Sequence, residues 1–556
     1  LILNCLRKKS TEFTVRKGVH MEILYNGIEF NEKWLVADHG KSMLETLPVP
    51  YLENPPEIKP IDIGRQLFVD DFLIEKTDMY RVFHQPETRD LPVLFPQTEV
   101  ELNHGYCPVA APFDDGLFYD EDAGCFKLWY HAGWFRGIGY AESKDGIHWK
   151  RLNEIDSSIM DGVVLPLKNG TFRDGAAVWL DRNYTDPKEK YKMFVYFREY
   201  EKKLAFHKEL PYDLIPEEEG GHLFRSADGI HWEEVCKTSP CGDNSTFFYN
   251  PFRKKWVFSL RTFSTIDNSR TRGYAEADDF FSAAWNLPDV AFWARTDKYD
   301  LPDPDLGYVP QLYKLDATPY ESLMLGMFAV FQGPPNEICD RQKRPKTIDL
   351  EIGFSRDGFH WTRDCRTPFL SASRVRGKWD YGYLHNVGGI CCVVGDELYI
   401  YYSAWSGHSP RLGMDMYAGA SMGLATLRRD GFASMRAGNR EAELLTGILE
   451  TNGKFLFINA ESGMDGYIKA ELLDEIGQII HGFEVDDCIP LCGSSTKHMV
   501  VWKHSSELEE GKKRLRIRFL SKNADIYSFW FADSKEGKSK GYLGAGGPGL
   551  KDAQDA

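Results

Sequence analysis

The heptapeptide SKDGIHW at 143–149 returns as SADGIHW at 226–232 and as SRDGFHW at 355–361. Asp-Gly is a strong hairpin signal because the turn needs positive φ, which Gly adopts freely and Asp tolerates. Two weaker copies complete the series, RGYAEADDFFSAAW around Asp278 and GLATLRRDGF around Asp430. Repetition at this scale constrains the fold more than any local propensity, since each copy must fill an equivalent place. Ahead of each copy lie two runs rich in Val, Tyr, Phe and Trp flanking a polar turn, within 116–132, 176–197, 245–263, 311–331 and 388–405. Two strands before the hairpin and two within it make a four-stranded unit. Five such units predict an all-β chain built on a five-bladed β-propeller.

The repeated residues then have structural roles. Ser and Asp side chains accept hydrogen bonds from turn amides, and the Trp packs between neighbouring units. His148, His231 and His360 fall at separate rims and cannot share a metal. The flanks differ. Residues 1–60 read as an arm that becomes Pro-rich (LPVPYLENPPEIKP), with 1–20 an extension or tag ahead of Met21. The propeller is expected over 61–440, with GRQLFVDDFLIEK (64–76) as the strand that enters it. Beyond 440 the hairpins stop, and alternating segments predict an antiparallel β-sandwich over 441–535. The Gly-rich 536–556 is expected to be a flexible tail.

The net charge of −16 repels phosphate-rich partners, which argues against nucleic acid and anionic membranes and fits a neutral sugar. No apolar run is long enough for a membrane helix. Eleven cysteines, an odd number without paired CxxC spacing, read as free thiols of a reducing compartment. In LILNCLRKKSTEF the charges follow the apolar stretch, the reverse of a signal peptide, so a cytoplasmic location is expected. GAGGPG (544–549) lacks the strand-then-helix setting of a dinucleotide site, and there is no HExxH, so neither cofactor nor metal is expected. KKRLRIR (512–518) reads as a solvated sheet face. A homo-oligomer stays open.

In a propeller the first strand of each unit lines a central funnel, so residues at those strands converge. They are Asp114 and Asp115, Arg173 and Asp174, Asp243, Glu321, and His385 with Asn386. Converging carboxylates are the chemistry of glycoside cleavage: one attacks or activates water, one of raised pKa protonates the leaving oxygen, and a third orients the sugar. Trp134 and Trp405 offer faces for a sugar ring, and His131 and Arg261 offer polar contacts.

FDDGLFYDEDAGCFKLWYH and FRDGAAVW resemble the Asn-Asp-Pro-Asn-Gly-Leu and Arg-Asp-Pro motifs of glycoside hydrolase family thirty-two, and the architecture resembles families thirty-two and forty-three and their relatives over about 60–535. Gly replaces Pro after Asp174. The resemblance implies a nucleophile or base at Asp114 or Asp115 and a transition-state stabiliser at Asp174. The general acid is assigned by elimination to Glu321, with Glu199 next. The expected activity is hydrolysis of an oligosaccharide, such as a fructan- or arabinoside-like furanoside. Two alternatives stand beside it: a phosphate-dependent phosphorylase using Arg173, Arg261 and His385, and a glycan-binding propeller without catalysis.

Overall fold

The computed structural model describes residues 21–159, 161–166, 172–198, 220–551 and 553–555. It is built almost entirely of sheet. Among the described residues no helix is long and apolar enough to cross a membrane. Five antiparallel meanders follow one another. Their first three strands are Val109–Asp120, Cys125–Ala132 and Gly137–Ser143 in the first; Phe172–Leu180, Tyr191–Arg198 and Gly220–Ser226 in the second; Thr246–Asn250, Lys255–Phe263 and Arg270–Ala277 in the third; Gln311–Glu321, Leu323–Gly333 and Thr347–Ser355 in the fourth; and Gly382–Val394, Glu397–Trp405 and Ala420–Arg428 in the fifth. The inner strands of the second and fifth both run parallel to Val109–Asp120. The short strand Glu87–Thr88, from ahead of the first meander, pairs with Ala420–Arg428 as the outer strand of the fifth.

The Asp-Gly turns hold themselves together and hold the meanders to one another. In the first, Ser143 Oγ accepts from Gly146 N (2.9 Å), and Asp145 Oδ1 accepts from Ile147 N and His148 N (2.9 and 2.8 Å). Asp145 Oδ2 lies 2.7 Å from His148 Nδ1. The same contacts recur around Asp228 and Asp357. The repeated His therefore serves its own turn. Burial alone would raise the Asp228 carboxyl, but His231 and the turn amides hold it at about 2.

Each turn then docks on the preceding meander. Trp129 Nε1 donates to Gly229 O (2.7 Å), Trp293 Nε1 to Phe359 O (2.9 Å), and Tyr320 Oη to Asp430 Oδ1 (2.7 Å). Cys236 Sγ lies 3.5 Å from Phe281 O beside the degenerate third turn. Tyr401 Oη of the fifth meander donates to Gly146 O of the first (2.8 Å), which closes the cycle. At Gly229 φ is +83°, and a Cβ would meet Trp129 at 2.5 Å. Left-handed backbone and overpacking add, so Gly229→Ala should cost roughly 2–5 kcal/mol. Denaturant unfolding followed by Trp fluorescence checks this; an unchanged midpoint would refute the docking role.

The remaining large sheet has ten strands and is threaded by two long ones, Phe455–Asp474 and Lys513–Ala532, whose pairing breaks register between Ser462 and Tyr467. Its membership differs from the expected boundaries. Gln66–Leu67 and Ile74–Thr77 do not enter a meander; they pair with Lys513–Ala532 and Ala442–Thr446. Ile58–Pro60, Tyr80–Phe83 and Ala433–Ala437 join the same sheet. Short edge segments carry little sequence signal of their own, and their partners lie hundreds of residues away. The basic run is neutralised along this sheet: Lys512 and Arg514 pair with Glu450 (2.6 and 3.2 Å), Arg516 with Glu75 and Arg518 with Glu471. The end of the chain is not loose. Tyr542–Leu543 pairs with Gln311–Glu321, and Ala545 is buried. Its glycines serve close approach, since a Cβ on Gly547 would meet Val393 O at 1.9 Å.

Candidate active site

The inner strands are irregular where they approach one another. Pairing shifts register between Ala111 and Gly116, Arg173 and Ala176, Leu312 and Lys314, and twice between Gly382 and Cys391. Asp114, Asp115 and Tyr383 carry positive φ (72°, 40° and 54°), uncommon for side-chain-bearing residues. Such bulges re-aim side chains, and here they build two layers.

The outer layer lines an open cavity of about 370 Å³. All five meanders contribute or lead into its wall: Phe113 and Trp134; Asp174 and Arg198; Asp243, Arg261 and Arg270; Tyr313 and Lys346; Tyr383 and Tyr417. Glu337 and Asp340, on the short helix Asn336–Gln342, also line it. Trp134 stacks on Tyr417 with ring centres 4.5 Å apart and planes 10° apart. Phe113 meets Trp134 edge to face at 5.5 Å. Two ion pairs face this aromatic wall. Arg198 Nη1 donates to Asp174 Oδ2 (3.0 Å), and Arg261 pairs with Asp243. Burial raises the Asp174 carboxyl above the usual range, Arg198 opposes this, and the charge of Asp243 raises it further. The two carboxyl groups thus sense one another across the same cavity.

The inner layer lies behind these lining residues and is buried. Asp114 pairs with Lys314, and Arg173 Nη1 donates to Asp115 Oδ1 (2.9 Å). Asp115 also accepts from Phe113 N (2.6 Å). Asp316 accepts from Asn386 Nδ2 and Ala317 N (3.0 and 2.9 Å). Burial pushes Asp114 up to about 6, against the pull of Lys314, and pushes Asp316 up to about 8 with help from Asp114. Burial and nearby cations hold His385 well below the usual imidazole range. These groups form a charged plug rather than a lining.

The sequence-selected residues therefore separate. Asp174, Asp243, Arg261 and Trp134 come together on the cavity wall. Asp114, Asp115, Arg173 and His385 lie in the plug. His131 backs the wall, accepting from Phe135 N (2.8 Å) and stacking on Trp134 (5.0 Å). Trp405 lies behind Phe113 at 5.8 Å. Glu321 belongs to neither layer. It sits at the far end of Gln311–Glu321 from Tyr313, in a buried cluster with Arg65, Arg429 and Ser539. A general acid must reach the leaving oxygen, so assignment of Glu321 to that role is corrected. Glu199 lies outside the described residues. Arg198, Arg270, Tyr313, Lys346, Tyr383 and Tyr417 were not singled out by sequence, because each is a single residue outside any repeated motif. Among the described residues no group of three or more His, Cys, Asp or Glu is arranged to hold a metal ion.

No family model matches the chain, and no curated protein matches it. Solved structures similar to it include glycoside hydrolases of families 32 and 43. A GH32 β-fructofuranosidase of Bombyx mori is 12% identical, covering 80% of this chain and 94% of its own, with a TM-score of 0.37. A thermostable family-43 glycoside hydrolase is 13% identical over 59% of this chain and 94% of its own, at 0.39. An N-acetylgalactosamine deacetylase from F. plautii, solved with blood group B trisaccharide, is 14% identical over 63% of this chain and 96% of its own, at 0.41.

Proposed function

We propose that this chain is a glycosidase whose five meanders are the blades of a five-bladed propeller, with the ten-stranded sheet folded against it as a sandwich. The cyclic docking of the turns supports the propeller, and the register break in the two long strands supports the fold of the sheet. The observation that carries the function is the pair Asp174 and Asp243 on one aromatic-walled cavity, with Asp243 helping to raise Asp174. A carboxyl raised by burial is suited to act as a general acid, and a second carboxylate nearby is its partner. Asp174 gives its proton to the glycosidic oxygen as the bond from that oxygen to the anomeric carbon breaks. Asp243, held by Arg261, attacks that carbon or takes a proton from the attacking water. Trp134, Tyr417 and Phe113 form the apolar wall that the sugar meets. The sequence expectation placed the nucleophile at Asp114 or Asp115; neither lines the cavity, so the proposed chemistry moves one layer outward.

The test is turnover of an oligosaccharide panel, furanosides included, with products resolved by chromatography. Sugar release that is lost in both Asp174→Asn and Asp243→Asn supports the reading. No release from any glycan by folded protein removes it and leaves a binding propeller.

A further inference from the structure

Of the four cations on the cavity wall, two have a carboxylate partner and two do not, among the described residues. Lys346 is buried, and no carboxylate pairs with it among the described residues. Its Nζ donates to Tyr313 Oη (3.1 Å) and Tyr383 Oη (3.3 Å) and lies 4.6–5.3 Å from the ring centres of Tyr383, Tyr313 and Tyr417. Arg270 also stands over the Tyr313 ring, at 5.4 Å, and its Nη1 is held by Gln311 Oε1 at 3.0 Å, a neutral acceptor. The other two cavity cations, Arg198 and Arg261, have Asp174 and Asp243. A buried ammonium is costly without a counter-charge. Here aromatic faces and phenol oxygens compensate in part, and Lys346 in turn draws the Tyr313 hydroxyl below its ordinary pKa, against the effect of burial. A bound anion would supply the counter-charge that no carboxylate gives Lys346 or Arg270 among the described residues.

We infer that Lys346, Arg270 and the Tyr313 hydroxyl form an oxyanion-binding site beside the Asp174–Asp243 pair. The ligand is a carboxylate, sulfate or phosphate group, borne by the sugar or arriving as free inorganic phosphate. This rests on the glycosidase reading and narrows it, since a chain selected by net charge as a binder of neutral sugars carries a cationic subsite. Where the oxyanion is free phosphate, one of its oxygens forms the bond to the anomeric carbon. The glycosidic bond breaks, and the proton of Asp174 goes to the leaving oxygen; nothing is oxidised or reduced.

The experiment is isothermal titration at constant ionic strength with three probes: sodium phosphate, glucuronate and glucose. It is run on the wild type, Lys346→Met and Arg270→Gln. The expected result is binding of phosphate or glucuronate to the wild type, with little heat from glucose, and loss of at least about tenfold in affinity in each variant. Arg270 is less enclosed than Lys346, so Arg270→Gln keeps the test decisive if Lys346→Met does not fold. Phosphate binding alone assigns the free anion, and glucuronate binding alone assigns a sugar substituent. Equal binding of all three probes, no binding of either anion, or an unaffected Arg270→Gln overturns the inference. Binding requires no turnover, so anion binding without cleavage would sink only the glycosidase. Cleavage of neutral glycans without anion binding would sink only the oxyanion site.

Discussion

Replacing Asp174 by Asn is expected to lower turnover by roughly 10²–10⁴-fold, the range for removing a general acid, while the unfolding transition stays in place. The substitution is nearly isosteric. It removes the proton that the leaving oxygen needs, and it leaves the side chain beside Arg198. Loss should therefore appear in kcat more than in KM, because the aromatic wall that holds the sugar is untouched. The pH profile gives a second readout. Burial and Asp243 raise the Asp174 carboxyl, so its acid form persists to higher pH than that of an ordinary aspartate. The wild-type rate should then fall on the alkaline side as that proton is lost. Residual activity of Asp174→Asn should lack this limb. A variant with unchanged kcat would mean that the acid lies elsewhere.

The largest stability loss is expected from Arg65→Ala. Arg65 Nη1 donates to Asp430 Oδ2 (3.0 Å) and Thr496 O (2.9 Å), its Nε lies 3.5 Å from Glu321 Oε1, and its guanidinium lies 4.1 Å from the centre of the Trp530 ring. Asp430 also accepts from Ser528 Oγ (2.6 Å) and Asn459 Nδ2 (3.0 Å), and Arg429 bridges Glu321 and Asp555 (2.9 and 3.2 Å). One cluster thus joins the fourth meander, the fifth turn, the ten-stranded sheet and the last residues of the chain. Removing one partner of a buried ion pair costs about 3–5 kcal/mol, because the other charge stays buried. Arg65→Ala strands part of two carboxylates, so the upper end is expected. Denaturant midpoints of wild type and variant decide it. Glu321→Gln, measured in parallel, should destabilise the protein and leave the kcat of the folded fraction intact. A selective loss of kcat would return Glu321 to the catalytic candidates.

The hairpins were legible because their chemistry is local. Ser143, Asp145, Gly146 and His148 satisfy one another within six residues, and each repeat spells this out again. The cavity was legible only in part. Asp174 and Asp243 stood out as carboxylates near the start of inner strands, but the same rule selected Asp114 and Asp115, which the bulge between Ala111 and Gly116 directs into buried pairs. Strand position alone does not say whether a side chain reaches the cavity or the plug. Lys346 and Tyr313 gave no signal, because a Lys after Pro345 and a Tyr in a strand are unremarkable until the fold brings them to 3.1 Å. The strands at 58–83 were misplaced for a related reason: their partners lie in the last quarter of the chain.

The cyclic docking of the turns has a consequence for when this protein becomes functional. Every meander supplies part of the cavity wall, and the outer strand of the fifth comes from Glu87–Thr88, ahead of the first. No single meander carries the whole wall. Competence therefore arrives in a single late event, when the last meander meets both the first and the segment that preceded it. Contacts spanning hundreds of residues make such an event slow. If the proposed function holds, a nascent chain of this kind has no partly built site able to act on a sugar before the fifth meander docks on the first.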